Sequence, residues 1–135
     1  MDVIVCVDDR MGLSFNGRRQ SKDQVLRAWI GEYLQGGMLC MNAYSAKQFA
    51  DYPQDRLVVR EDFLENAGEN DCCFAETSEL LPWEDRIRRL ILCRWNRHYP
   101  SDRKLDLDLS RWQLKESQEF PGSSHERITV EVYEK

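Results

Sequence analysis

One short apolar run near the amino terminus constrains the fold of this chain more than any other feature. Residues 3–7 read Val-Ile-Val-Cys-Val and include no polar side chain. A strand with one face in water alternates apolar and polar residues, whereas a strand that is apolar throughout is covered on both faces. Helices provide this cover in sheets of mostly parallel strands. The run therefore predicts a central strand of an α/β protein.

Further strand and helix signals alternate along the chain, as this fold class requires. Short apolar runs predict strands at residues 38–41, 57–59, 72–75 and 89–95. Helices are predicted between them at residues 42–50, 61–67 and 83–86.

The first and longest helix is predicted to follow a loop at residues 8–20. Ser21-Lys-Asp-Gln24 has the form of a capping box, in which the Ser21 hydroxyl accepts from exposed amides of the first turn. Apolar residues recur behind it at helical spacing, and Gly36-Gly37 ends the helix. Asn42 is the predicted N-cap of the next helix.

The carboxyl-terminal part of the chain predicts a hairpin. Residues 112–117 and 127–133 are strand-like, and the turn-rich segment 120–124 joins them. Neighbouring strands with a short connection pair antiparallel. The chain is thus predicted to form a mixed, mostly parallel sheet flanked by helices and closed by an antiparallel hairpin, in one domain of residues 1–135.

Charge and hydropathy exclude two classes of protein. The chain carries 24 acidic and 19 basic residues, a net charge of −5, whereas nucleic-acid binding is driven by a basic excess. No apolar run approaches the roughly 20 residues of a membrane span, and the amino terminus lacks the basic start of a signal peptide. We therefore expect a cytoplasmic protein without general nucleic-acid binding.

The number and placement of the cysteines agree with a cytoplasmic protein. There are five, an odd number, and no C-x-x-C pair occurs. Most lie in predicted strands, which favours buried free thiols in a reducing environment.

The order of elements is similar to that of dihydrofolate reductase, and several motifs carry the resemblance. Asp9-Arg10-Met11-Gly12 resembles the D-R-x-x-G that opens the active-site loop of that family. Leu39-Cys-Met41, followed by Asn42-Ala-Tyr-Ser45, resembles its V-I-M-G-R-x-T strand-to-helix turn. Leu90-Ile-Leu-Cys93 resembles its L-Y-L-T strand, and Trp112 with the last hairpin occupies the place of its closing pair. The resemblance spans nearly the whole chain and implies a divergent, shortened fold of that family.

Two departures from the family pattern concern catalysis. Leu26-Arg-Ala-Trp-Ile30 resembles the first helix of the family, whose reaction uses a buried carboxylate early in that helix. Aligned through Ala28-Trp29, the position of that carboxylate is occupied here by Leu26. Asp23 lies one turn earlier, where an acid also serves as a helix cap, so it is a weak catalytic candidate. The family's glycine pair, which faces the cofactor pyrophosphate, is missing because no glycine occurs between Gly68 and Gly122. These departures from the family pattern predict that the chain binds no cofactor.

Other catalytic classes find little support. The chain has only two histidines and no H-x-H-x-D-H or H-E-x-x-H motif, so a zinc-dependent nuclease is rejected and no metal site is predicted. No G-x-S-x-G or P-loop motif occurs.

The resemblance brings several polar segments to one end of the sheet. They belong to loop 8–20, the start of the second helix, loop 96–102 and the turn near residue 124. The ligand-binding candidates are Asp9, Arg10, Asn16, Arg18, Arg19, Asn42, Tyr44, Ser45, Asn96, Asp102, Ser123, Ser124 and His125. An alternative is that these side chains brace one another, with Asp102 and Ser123 or Ser124 holding the first loop. The arginines before the helix favour an anionic group.

Three functions follow as hypotheses. The first is a non-reductase protein of this fold that binds a small polar or anionic ligand or a protein partner. The second is a compact NADPH-dependent reductase of a pteridine or pyrimidine. The third is a purely structural or interaction role, including a homo-oligomer.

Overall fold

A computed structural model describes residues 1–135 and has a seven-stranded sheet at its centre. The strands of this sheet are β1 (Asp2–Val7), β4 (Leu39–Met41), β5 (Leu57–Val59), β6 (Cys72–Phe74), β7 (Arg89–Arg94), β9 (Gln113–Phe120) and β10 (Ile128–Glu134). Their order across the sheet is β5-β4-β6-β1-β7-β10-β9. A second, small sheet contains β2 (Gly12–Phe15), β3 (Arg18–Arg19) and β8 (Arg103–Lys104), in the order β3-β2-β8.

The pairing pattern confirms the predicted fold class. β1 pairs in parallel with β6 and with β7, and β4 pairs in parallel with β5 and β6. β10 pairs antiparallel with β7 and with β9, which forms the closing hairpin. β1 is therefore the central strand that its uniformly apolar run predicts.

The helices are α1 (Gln24–Leu34), α2 (Ala43–Ala46) and α3 (Phe63–Asn66), and none is long and apolar enough to cross a membrane. The capping-box prediction is wrong in one respect, because the N-cap of α1 is Asp23 and not Ser21. The Asp23 side chain accepts from the amides of Val25 and Leu26. Asn42 caps α2 as predicted, by accepting from Ser45.

Two predicted segments differ in detail. The segment predicted as a loop at residues 8–20 contains β2 and β3, which form a short hairpin with Asn16 and Gly17 at positive φ. The predicted helix near residue 83 is a 3-10 helix, Leu81–Arg86.

Side chains pack on both faces of the large sheet. One cluster includes Val3, Val5 and Leu92, and the other includes Ile4, Ile91 and the α1 residues Leu26 and Ile30. Four cysteines are buried, and Cys6 is half-buried near the carboxyl end of β1. The parallel strands thus present their carboxyl ends to the loops that hold most of the polar candidates.

Candidate functional site

Polar side chains gather where parallel strands β1, β4 and β6 end. In open α/β sheets, ligands bind in the crevice outside the carboxyl ends of the strands. Asp8 follows β1, Asn42 follows β4, and Glu76 follows β6 after one residue. All three side chains accept hydrogen bonds, and Asp8 and Glu76 are buried.

Glu76 is the centre of a set of hydrogen bonds that we call the Glu76 cluster (Glu76, Arg19, Tyr44, Ser45 and Gln48). The Glu76 carboxylate accepts from Arg19 Nε at 2.9 Å and Arg19 Nη2 at 3.2 Å. It also accepts from Ser45 Oγ at 2.8 Å and Gln48 Nε2 at 2.9 Å. Four donors therefore compensate a carboxylate whose side chain is only 6% exposed.

Arg19 is held by further contacts inside this cluster. Its guanidinium lies 4.3 Å from the centre of the Tyr44 ring, and Nη2 donates to the Tyr44 carbonyl at 3.1 Å. The Tyr44 hydroxyl accepts from the Arg19 amide. The Arg19 guanidinium thus already binds the Glu76 carboxylate in a bidentate manner and lies over the Tyr44 ring. It is therefore poorly placed to bind an external anion.

Asp8 is a second buried acceptor, and it joins the first loop to the loop after β7. Its Oδ1 accepts from the amides of Arg10 and Gly12, at 2.9 and 2.7 Å. Its Oδ2 accepts from the Tyr99 amide at 3.1 Å and from Gln20 Nε2 at 3.2 Å. Burial acts to raise the pKa of Asp8, but the backbone amides outweigh it and hold the pKa below its ordinary value.

Asp23 links α1 to the turn before β10. Its carboxylate accepts from the amides of Ser123 and Ser124, at 3.1 and 2.8 Å, and lies 3.0 Å from His125 Nδ1. His125 Nε2 lies in turn 3.0 Å from the Tyr99 hydroxyl. We call Asp23, His125 and Tyr99 the relay, because the three side chains form one continuous chain of hydrogen bonds.

The Asp23 carboxyl is ionised in this setting. Burial acts to raise its pKa, but the hydrogen bonds from His125 and from the amides of Ser124 and Ser123 outweigh that effect. They hold the pKa of Asp23 well below its ordinary value.

A surface pocket of about 470 Å³ lies beside the relay, between the β2–β3 hairpin and the loop after β7. Its walls are Phe15, Asn16, Arg18, Arg19, Gln20, Tyr99 and Pro100. Arg18 is exposed and takes part in no ion pair, while Phe15 is 43% exposed. The pocket therefore combines a free cation with an accessible aromatic face.

The structure divides the predicted site residues into separate groups. Arg19, Tyr44 and Ser45 meet in the Glu76 cluster, whereas Ser123, Ser124 and His125 meet at Asp23. Asn16 and Arg18 lie at the pocket. Asp102 braces the hairpin by accepting from the Asn16 amide at 3.1 Å, as the bracing alternative describes.

The remaining candidates lie outside these groups. Asp9 and Arg10 are exposed, and neither side chain forms a hydrogen bond. Asn42 serves as the cap of α2, and Asn96 donates to Thr129 and to the Arg127 carbonyl. Asn42 and Asn96 thus stabilise a helix start and a strand end.

Sequence reasoning missed Glu76, Tyr99, Asp8 and Gln20. Two of them carry a usable signal, because Asp8 and Glu76 come at or just after the end of a buried parallel strand, where ligand-facing residues concentrate. Tyr99 and Gln20 have none, since their partners lie far away in sequence.

The carboxyl end of β6 does not fit the dinucleotide that the reductase family binds. A pyrophosphate needs a close backbone approach and a helix N-terminus. Here β6 leads to the buried Glu76 carboxylate, and the next helical turn is the 3-10 helix Leu81–Arg86. The strand end thus presents a carboxylate, already paired with Arg19, where a pyrophosphate would need free backbone amides.

Comparisons with known proteins agree on the fold. Dihydrofolate reductase from Enterococcus faecalis, in a complex with NADP(H) and RAB-propyl, superposes with a TM-score of 0.69. The alignment covers 98% of this chain and 94% of that chain, at 9% sequence identity. No family model and no curated protein matches the sequence. The predicted dihydrofolate reductase-like fold is thereby confirmed.

Proposed function

We propose that this chain, which has the dihydrofolate reductase fold, binds a small aromatic anion in the pocket beside Arg18 and does not reduce a pteridine. The observation that carries the proposal is the contrast between two adjacent arginines. Arg19 is paired with Glu76, whereas Arg18 forms no ion pair and lines a pocket of about 470 Å³.

The charge of the protein makes the free arginine informative. With a net charge of −5, the molecule as a whole repels anions, so an anion binds only where positive charge is locally uncompensated. Arg18 offers a planar set of donors suited to a carboxylate or phosphate. Asn16 and Gln20 add polar groups to the same wall.

The aromatic part of the ligand is suggested by Phe15. Large apolar side chains on a surface are common one at a time, but this ring lies within a concave pocket beside the cation. A planar ring stacked on Phe15 would bury apolar area on both partners. This burial stabilises the complex by about 25 cal/mol for each Å² of apolar surface removed from water.

Two observations weigh against the alternative of a compact reductase. Leu26, at the position of the family's acid, is 2% exposed and packs in the core with Ile30. Glu76 holds a carboxylate where the cofactor would need a backbone that accepts phosphate. Leu26 provides no proton donor for a pterin, and the strand end at Glu76 provides no phosphate-binding backbone for a dinucleotide.

Binding of benzoate and phenyl phosphate tests this proposal. We expect saturable shifts of the backbone amide resonances of Phe15, Asn16 and Tyr99, with dissociation constants below about 1 mM, equivalent to about −4 kcal/mol. The variant Arg18→Gln should weaken binding at least tenfold. Arg97→Gln, which changes an exposed arginine outside the pocket, is the matched control and should bind as the wild type does. The absence of shifts with both anions would refute the proposal.

A further inference from the structure

The relay is closed to solvent at its carboxylate and its imidazole. Asp23 and His125 are 2% and 4% exposed, and the Trp95 ring stacks on the imidazole at 4.4 Å between centroids. The three members come from the α1 cap, the loop after β7 and the turn before β10. Water therefore has little access to the imidazole.

The position of each proton follows from the chemistry of the groups. An ionised carboxylate only accepts, so the hydrogen between Asp23 and His125 is carried by Nδ1. In a neutral imidazole the other nitrogen, Nε2, is then an acceptor. Opposite a neutral imidazole, Tyr99 donates its single hydroxyl hydrogen to Nε2 across the 3.0 Å contact, as the hydroxyl of a carboxylate–imidazole–hydroxyl triad does.

This arrangement leaves the Tyr99 oxygen with a free lone pair and no free hydrogen. No other group of the chain bonds to that oxygen, and Tyr99 is part of the pocket wall that also carries Arg18. A hydroxyl that rotates freely both donates and accepts, whereas this hydroxyl, with its hydrogen on the neutral imidazole, is left to accept from a ligand.

We infer that Tyr99 determines specificity in this pocket by accepting a hydrogen bond, so that the ligand carries an N–H or O–H donor in addition to its anionic group. The inference rests on the proposed function and narrows the class of ligand. Asp23 and His125 are positioning residues in this scheme, since they orient the hydroxyl without touching the ligand.

Matched benzoates separate this inference from the proposed function. An amino group and a methyl group have similar size, but only the amino group donates. The probes are 3- and 4-aminobenzoate, each compared with the methylbenzoate of the same ring position by titration calorimetry. The measured quantity is the affinity for the aminobenzoate divided by the affinity for the matching methylbenzoate. This ratio is compared between the wild type and Tyr99→Phe, which keeps the ring and removes the hydroxyl.

For at least one ring position, we expect that ratio to fall about fivefold or more in Tyr99→Phe, which corresponds to the loss of one hydrogen bond. The affinity for the methylbenzoates, which offer the hydroxyl no donor, should fall less than the affinity for the aminobenzoates. A purely structural role of Tyr99 would instead lower both affinities together. An unchanged ratio at both positions overturns the inference and leaves the proposed function standing. No binding of any benzoate by the wild type overturns the inference, and the additional absence of phenyl phosphate binding overturns the proposed function as well. Circular dichroism verifies that the variant is folded.

Discussion

Glu76 and Arg19 form a bidentate ion pair, with Oε2 at 2.9 Å from Nε and Oε1 at 3.2 Å from Nη2. Removal of one member leaves the other charge buried and unpaired. We expect Glu76→Gln to lower the free energy of unfolding by about 3 kcal/mol, measured by urea denaturation.

The double variant Arg19→Leu/Glu76→Leu is the control for that prediction. It removes both charges, so its loss of stability should be smaller than the sum of the losses in the single variants Arg19→Leu and Glu76→Leu. Additive losses would show that the pair is not coupled.

Asp23 is expected to contribute to stability beyond its role as a cap. Asp23→Ser retains an efficient N-cap residue but removes the carboxylate that holds Ser124 and His125. We expect a loss of about 2 kcal/mol in the free energy of unfolding. Asp108→Ser changes an exposed cap of the 3-10 helix Leu109–Arg111, and should cost less than about 0.5 kcal/mol. Equal effects of the two variants would contradict the prediction.

Stability should depend on acid pH through Asp23 and Asp8. The folded-state pKa of each lies below its unfolded-state value, which is about 3.9. The unfolded chain therefore binds protons first as the pH falls, so the stabilisation is complete above about pH 5 and is lost progressively below it. Urea midpoints between pH 7 and pH 3 should fall, and they should fall less steeply in Asp23→Ser. A wild-type midpoint that is independent of pH in this range would contradict the assignment.

The thiols should react slowly in the native protein. Hydrogen bonding to Cys93 and burial raise the pKa of Cys6, and burial raises the pKa of Cys72. Titration with a thiol-specific disulfide reagent should proceed slowly and should reach five thiols after denaturation. Two or more disulfides in freshly purified protein would disprove free thiols.

The cofactor of the reductases should not bind. We expect no saturable NADPH binding below about 1 mM, followed by tryptophan fluorescence, and no reduction of dihydrofolate. Micromolar NADPH binding would refute the interpretation of Glu76 and return the reductase to consideration.

The sheet was predictable because its strands are short apolar runs whose burial on both faces leaves a local pattern. The N-cap was not, since Ser21 and Asp23 both suit a cap, and the choice is made by Ser124 and His125 about 100 residues away. The β2–β3 hairpin carries a short signal, Asn16-Gly17 after the alternating residues 13–15, but its strands have only four and two residues. Ligand-facing roles were predicted for Arg18 and Arg19 alike, because only the distant Glu76 distinguishes them.

The central position of β1 has a consequence for synthesis of the protein. Asp2 pairs with Cys72 and with Arg89, which the ribosome adds 70 and 87 residues later. Until then, the apolar side chains of the strand have no partner, and their backbone groups are free to pair with another chain. Nascent chains that stop before residue 89 should consequently require a chaperone, and the large sheet can close only when its last strands have left the exit tunnel.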